Sequence, residues 1–289
     1  MKNILVTGGN GQLGRSLQKI AGEYPDYDFT FTDMPDTDIT DRRAVNDRIT
    51  SLGIDCIVNC AAYTNVEQAE SDVETARRIN ADGPRILAEA ALEHGIRLVH
   101  ISTDYVFGSD DKRNEPYKET DATGPINVYG ETKLAGEKAV AKTGCSAAII
   151  RTSWLFSEFG NNFVKTMLRL AGEHDSLTIV DDQYGCPTYA TDLARAAMLL
   201  AGRESAGCEI YNYCNSGVTN WHGFAEEIFR QAGVSTNARP VPHTAYPTKA
   251  ERPAYSVMDT AKIRAIGAAV PHWKDALAEC LAKLAEQEN

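Results

Sequence analysis

The stretch LVTGGNGQLGRSL, residues 5–17, limits the choice of fold more than any other. The apolar run NILVT (3–7) reads as a strand and the amphipathic segment 11–22 as a helix. Between them lie Gly8, Gly9, Gly11 and Gly14. They fit G-x-G-x-x-G on Gly9, Gly11 and Gly14, or G-x-x-G-x-x-G on Gly8, Gly11 and Gly14. Either way, glycines permit a tight turn and let backbone N–H groups approach a pyrophosphate at the positive end of a helix. A strand before and a helix after are the context this reading requires. No Gly-Lys-Ser/Thr follows, so this is not a phosphate-transfer loop.

The same rhythm continues. Strands are expected at 28–32, 55–60, 97–102 and 146–153, and helices at 41–52, 72–94 and 126–143. The strand runs are continuously apolar, as they must be when helices cover both faces of a sheet. Strict alternation predicts an α/β fold, a Rossmann-type doubly wound parallel sheet. After residue 154 the pattern loosens. Helices are expected at 160–172, 190–202, 221–232 and 272–287, with strands at 176–180 and 209–213. The segment 236–256 shows no clear period. This predicts a dinucleotide-binding domain over 1–154, to which segments near 176–215 return. A smaller interleaved substrate-binding domain takes most of 155–289.

A chain of 289 residues with 43% apolar and 24% charged residues can bury a sizeable core. Its formal charge of −11 opposes binding to nucleic acid or an anionic membrane. The seven cysteines include no C-x-x-C pair and sit mostly in apolar runs, which predicts reduced thiols rather than a disulfide or zinc site. The six histidines lack metal-ligand spacing, and no metal is expected. No apolar run approaches membrane-spanning length, so a cytoplasmic location is expected.

The second strand leads to Asp33, roughly 20 residues past Gly14, where an acid accepts hydrogen bonds from adenosine ribose hydroxyls and repels a 2′-phosphate. NADH is thereby slightly favoured over NADPH. Arg15, Arg42 and Arg43 keep a 2′-phosphate possible, and Asp38 either caps the next helix or reaches the adenine. Strand four ends in HISTDYVFG. Ligands of such sheets sit beyond the carboxyl ends of the strands, so Ser102, Thr103 and Asp104 should face the crevice. In the following helix Tyr129 and Lys133 are four residues apart and share one face. An ammonium and a positive nicotinamide near the phenol would lower its pKa and make it an acid or base near neutrality.

TGGNGQLG, VNCAAYTNVEQAE, STDYVFG and YGETK together resemble the extended short-chain dehydrogenase/reductases, over nearly the full length. YGETKLAGE, IIRTSWLF, GNNFVKTMLRLA, DDQYGCPTYATDLA and AYPTKAERPAYSVMDT narrow the resemblance to those that reduce the C4 ketone of dTDP-4-dehydro-β-L-rhamnose to dTDP-L-rhamnose. The resemblance implies Thr103, Tyr129 and Lys133 as catalytic residues, with Tyr129 as proton donor. It implies cofactor contacts from Gly8, Asn10, Gly11, Gln12, Leu13, Asp33, Asp38, Ile39, Asn59, Ala61, Ala62, Tyr63 and Thr64, besides Tyr129 and Lys133. On the dTDP-sugar side it implies Thr103, Asp104, Tyr105, Val106, Trp154, Asn162 and Arg252. Trp154 offers a flat face to the hexose, and Arg252 matches a pyrophosphate. Some such reductases are dimers bridged by magnesium on glutamates, one just after the glycine loop. Here Arg15 and Ser16 stand there, so a monomer or weak homodimer is expected. Two alternatives remain open: a non-catalytic NADP-binding regulatory subunit similar to the methionine adenosyltransferase beta subunit, and an epimerase or dehydratase of another sugar nucleotide. Tyr105 stands where dehydratases commonly carry a glutamate, which weakens the dehydratase reading.

Overall fold

The computed structural model describes residues 1–110 and 112–288, without the side chain of Glu288. Six strands build the central sheet: β1 (Lys2–Thr7), β2 (Tyr27–Thr32), β3 (Cys56–Asn59), β4 (Arg97–Thr103), β5 (Ala147–Thr152) and β6 (Cys208–Asn212). Their spatial order is β2-β1-β3-β4-β5-β6 and every pairing is parallel. The strand order reverses between β1 and β3, which opens a crevice at their carboxyl ends.

The continuous apolar runs are explained by the two cores they feed. Ile4, Val6, Val58, Val99 and Ile150 face helices Gln12–Ile20 and Ala190–Ala201. Leu5, Ile57, Leu98 and Ile149 face Arg42–Leu52, Gly83–His94 and Val128–Thr143. Residues alternate between the two faces because successive side chains of a strand point opposite ways. Asp41 and Asn127 cap two of these helices by accepting from Arg43, Ala44 and Gly130 backbone N–H groups.

A second lobe has its own core of Phe156, Val164, Met167, Phe224, Ile228, Trp273 and Leu277. Helices Phe163–Glu173, Trp221–Ala232 and Trp273–Glu288 supply most of it. Among the described residues no helix is long and apolar enough to cross a membrane.

Three details depart from expectation. The expected helix 72–94 is broken into Val73–Arg77, a π turn at Arg78–Asp82, and Gly83–His94. The segment 176–180 does not return to the central sheet. It pairs in parallel with Asn237–Val241, a strand inside the stretch without visible period. What returns is helix Ala190–Ala201 and β6, which completes one sheet edge.

Candidate active site

The crevice at the carboxyl ends of the strands holds a cavity of about 660 Å3. Gly8, Gly11, Gln12, Leu13 and Gly14 form its floor, and Asp33, Asp38 and Ile39 one end. The loop is as tight as its glycines suggest. Gly8 has φ +67°, and a Cβ there would lie 2.6 Å from the Ala61 nitrogen. A Cβ at Gly14 would collide with the Gly8 carbonyl oxygen. The bare backbone at the start of helix Gln12–Ile20 therefore fits a dinucleotide pyrophosphate. The Asp33 carboxylate is aimed by two backbone donors, Asn10 N at 2.9 Å and Met34 N at 2.9 Å. Neither Arg42 nor Arg43 lines the cavity; they pair with Glu89 and Glu93, and with Asp47. Arg15 lies over the Phe159 ring at 5.4 Å.

At the other end Thr103, Asp104, Tyr105, Tyr129 and Lys133 come together, as expected. Thr103 ends β4, and its hydroxyl oxygen accepts from Tyr105 N at 3.2 Å. Its own O–H reaches Asp104 Oδ1 at 3.1 Å. Burial raises Asp104 to about 6, against the hydrogen bonds from Ser256 and Thr103 that lower it. Its Oδ2 is buried with no partner in the protein. Gly130 lets the helix bearing Tyr129 pack against this turn, since a Cβ there would run into the Tyr105 carbonyl. The Tyr105 and Tyr129 rings meet edge to face, 5.7 Å apart.

The Lys133 ammonium does not lower the Tyr129 phenol as expected. Burial pushes it up to about 12, opposed by the Thr103 hydrogen bond and reinforced by Asp104. Lys133 donates instead to the Ile101 carbonyl at 2.6 Å. Burial draws the Lys133 ammonium down to about 8, opposed by the Glu137 carboxylate. The phenol thus holds its proton at neutral pH, the state required of an acid.

Ala61, Ala62 and Thr64 line the cavity, whereas Asn10, Asn59 and Tyr63 do not. Asn59 lies beneath it. Its Oδ1 accepts from Thr7 at 2.7 Å and from Ala61 N at 3.2 Å, and its Nδ2 meets His100 Nδ1 at 3.0 Å. It shapes the turn that carries Ala61 and does not touch the crevice. Tyr63 is tied by its backbone to Asn80, and Asn10 lies exposed on the rim. Val106 is fully buried in a core with Phe107 and Tyr117, because the 3-10 turn after Thr103 points it inward.

A second cavity of about 880 Å3 adjoins the first, and Trp221 lines both. Arg252 lines the second, with Gln183, His243, Tyr246 and Lys249. Its guanidinium pairs with Glu67 at 2.8 Å, and its charge opposes the rise that burial gives the Tyr105 phenol. Asn162 lines neither cavity. It caps helix Phe163–Glu173 and donates to Gln12 Oε1 at 3.1 Å. Trp154 borders the first cavity, but one face of its indole is covered by Trp221. It has φ 47°, the only positive φ among described non-glycine residues, a conformation that costs about 1–3 kcal/mol. Trp221, Ser153 and Arg78 also line the site. Nothing in their local sequence marks them, since each arrives from an element read only as scaffold.

Comparison with known proteins identifies the family. A family model described as the RmlD substrate binding domain matches residues 1–286. The dTDP-4-dehydrorhamnose reductase of Aggregatibacter actinomycetemcomitans is 42% identical over 288 residues, covering 96% of this chain and 97% of its own. That of Escherichia coli K12 is 42% identical over 286 residues, covering 94% of each. A crystal structure of the Bacillus anthracis dTDP-4-dehydrorhamnose reductase in complex with NADP superposes with a TM-score of 0.93 at 39% identity, covering 98% of this chain and 100% of that one. The glycine cradle, the Thr103–Tyr129–Lys133 cluster and a family match from end to end coincide, so the chain belongs to the RmlD family of dTDP-4-dehydrorhamnose reductases.

Proposed function

We propose that the chain reduces the C4 ketone of dTDP-4-dehydro-β-L-rhamnose to dTDP-L-rhamnose, with Tyr129 as proton donor. The observation that carries this reading is the meeting of Thr103, Tyr129 and Lys133 in a glycine-floored cavity that shares Trp221 with a second, larger one. A reduced nicotinamide, when bound, supplies the hydride. The residues do the rest. The Thr103 hydroxyl holds the reacting oxygen. The Tyr129 phenol, protonated at neutral pH, delivers its proton as that oxygen gains charge. Lys133, held on the Ile101 carbonyl, presents an ammonium to the nicotinamide ribose. Gly8, Gly11, Gln12 and Leu13 hold the pyrophosphate. Asp33 receives the adenosine ribose, which favours NADH slightly while NADPH remains a substrate. Asp104 and Tyr105 border the hexose. Arg252 takes the sugar-nucleotide pyrophosphate once Glu67 releases it. Arg15 fills the position of a bridging glutamate, so the protein acts as a monomer or weak homodimer.

The test is consumption of NADH and NADPH by the purified protein, with the dTDP-4-dehydro sugar generated in situ by its dehydratase and epimerase. Oxidation that depends on both upstream enzymes and yields dTDP-L-rhamnose is expected. Normal cofactor binding without oxidation would overturn the reading in favour of a binding subunit or another sugar nucleotide.

A further inference from the structure

Helix Val128–Thr143 carries a third functional position on the face of Tyr129 and Lys133. Glu137 lies one turn beyond Lys133 and is only 3% exposed. A buried carboxylate is costly unless its lone pairs are filled, and here Ser102 and Arg151 fill them. Ser102 donates to Oε1 at 2.5 Å. Arg151 donates from Nε to Oε1 at 2.9 Å and from Nη2 to Oε2 at 2.7 Å. Ser102 and Arg151 are register partners on β4 and β5, immediately before the pair Thr103 and Thr152. The carboxylate therefore fastens the helix to the strand end that presents Thr103. Gly136 pins the other side of the helix, since a Cβ there would strike the Asn80 carbonyl.

We propose that Glu137, locked by Ser102 and Arg151, is a positioning residue of this site: it fixes the Tyr129–Lys133 face against the end of β4 and sets a carboxylate one helical turn from Lys133. The inference rests on the reading of the site given under Proposed function. Among the groups facing Lys133, Glu137 supplies the negative charge that opposes the pull of burial. Cys60, at the end of β3, is a thiol raised well above its ordinary value by burial. His100 on β4 is held neutral by burial and by Lys133 itself. Tyr129, one turn back on the same helix, is protonated. Asp104, beyond Thr103, is not a charge acting on Lys133, whereas Glu137 is. Arg151 on β5 is paired with that carboxylate at 2.7 Å.

The experiment is NADH affinity as a function of pH, read by nucleotide fluorescence without sugar, on wild type and Glu137→Gln. At pH 6 both proteins carry an ammonium at Lys133 and bind alike. At pH 8 the variant has lost it, and its affinity falls by roughly fivefold if the limb drops by one pH unit. Arg151→Lys keeps a cation on Glu137 and retains the wild-type limb. If Glu137→Gln does not fold, the double variant Glu137→Gln/Arg151→Gln, which leaves no buried guanidinium without its carboxylate, shows the same shift. An affinity ratio that is equal at pH 6 and pH 8 in the folded variant overturns the proposal. Because no sugar is present, this result is independent of whether the wild type turns over the dTDP-sugar.

Discussion

The indoles of Trp154 and Trp221 lie face to face, with ring centroids 3.6 Å apart and planes 8° from parallel. Trp154 comes from the end of β5 and Trp221 from the first turn of a helix in the second lobe. Gly185 leaves room for the edge of the Trp154 ring, since a Cβ there would lie 2.6 Å from Cε2. Aromatic pairs of this kind contribute about 0.5–1.5 kcal/mol beyond their buried area. Trp221→Ala removes the support of Trp154 and part of the wall common to both cavities. The KM for the sugar nucleotide should rise roughly tenfold, while the dissociation constant for NADH stays within twofold or so. Steady-state kinetics with a parallel cofactor titration measures both.

Tyr129→Phe deletes the proposed proton donor and leaves the ring that packs on Tyr105. Turnover should fall by about two to four orders of magnitude, the usual contribution of a positioned acid. Cofactor affinity should remain close to wild type. Full activity in this variant would remove Tyr129 from the chemistry.

Asp33→Ala removes a carboxylate aimed by the Asn10 and Met34 N–H groups. Hydrogen bonds to a charged partner contribute about 1.5–3 kcal/mol, so NADH should bind at least roughly tenfold more weakly. NADPH gains relief from repulsion and should bind as well as before or better. Comparative titration of the two cofactors decides this. An unchanged preference would show that Asp33 does not read the ribose.

Asp104 makes stability depend on pH. Burial raises its carboxyl to about 6, above its ordinary value of 3.8, so the folded state holds the proton more tightly than the unfolded chain. The folded state is favoured below pH 4, and this advantage is lost as pH rises through about 6. Above that, the buried carboxylate costs about 3 kcal/mol, an order-of-magnitude figure. Asp104→Asn should leave the melting temperature near wild type at pH 4 and raise it by several degrees at pH 8, as thermal melts at the two pH values would show.

Much of this was legible in the sequence. The central strands announce themselves because both faces are buried, which forces runs such as NILVT and DCIVNC. Tyr129 and Lys133 are visible because a helix brings residues four apart onto one face. Other features are set by partners distant in the chain. Asn237–Val241 contains Pro240 and is largely exposed, so it reads as loop until Ser176–Val180 pairs with it. Glu137 finds Arg151, and Trp154 finds Trp221, only through the fold. Asn59 and Val106 lie in stretches that suggest ligand contact, and local turn geometry buries both. Burial of the Tyr129 phenol, set by how the helix packs on the turn after β4, is likewise invisible in the local sequence.

Helix Ala190–Ala201 lies against helix Gln12–Ile20, and β6 forms one edge of the central sheet, although both follow the first segments of the second lobe in the chain. A shortened protein ending at residue 154 would therefore lose the cover from Leu17, Ile20 and Val6 and leave the β5 edge open to other chains. The excised first half would be an aggregating fragment. Fusions or insertions that keep this protein soluble have to respect both lobes as one cooperative unit.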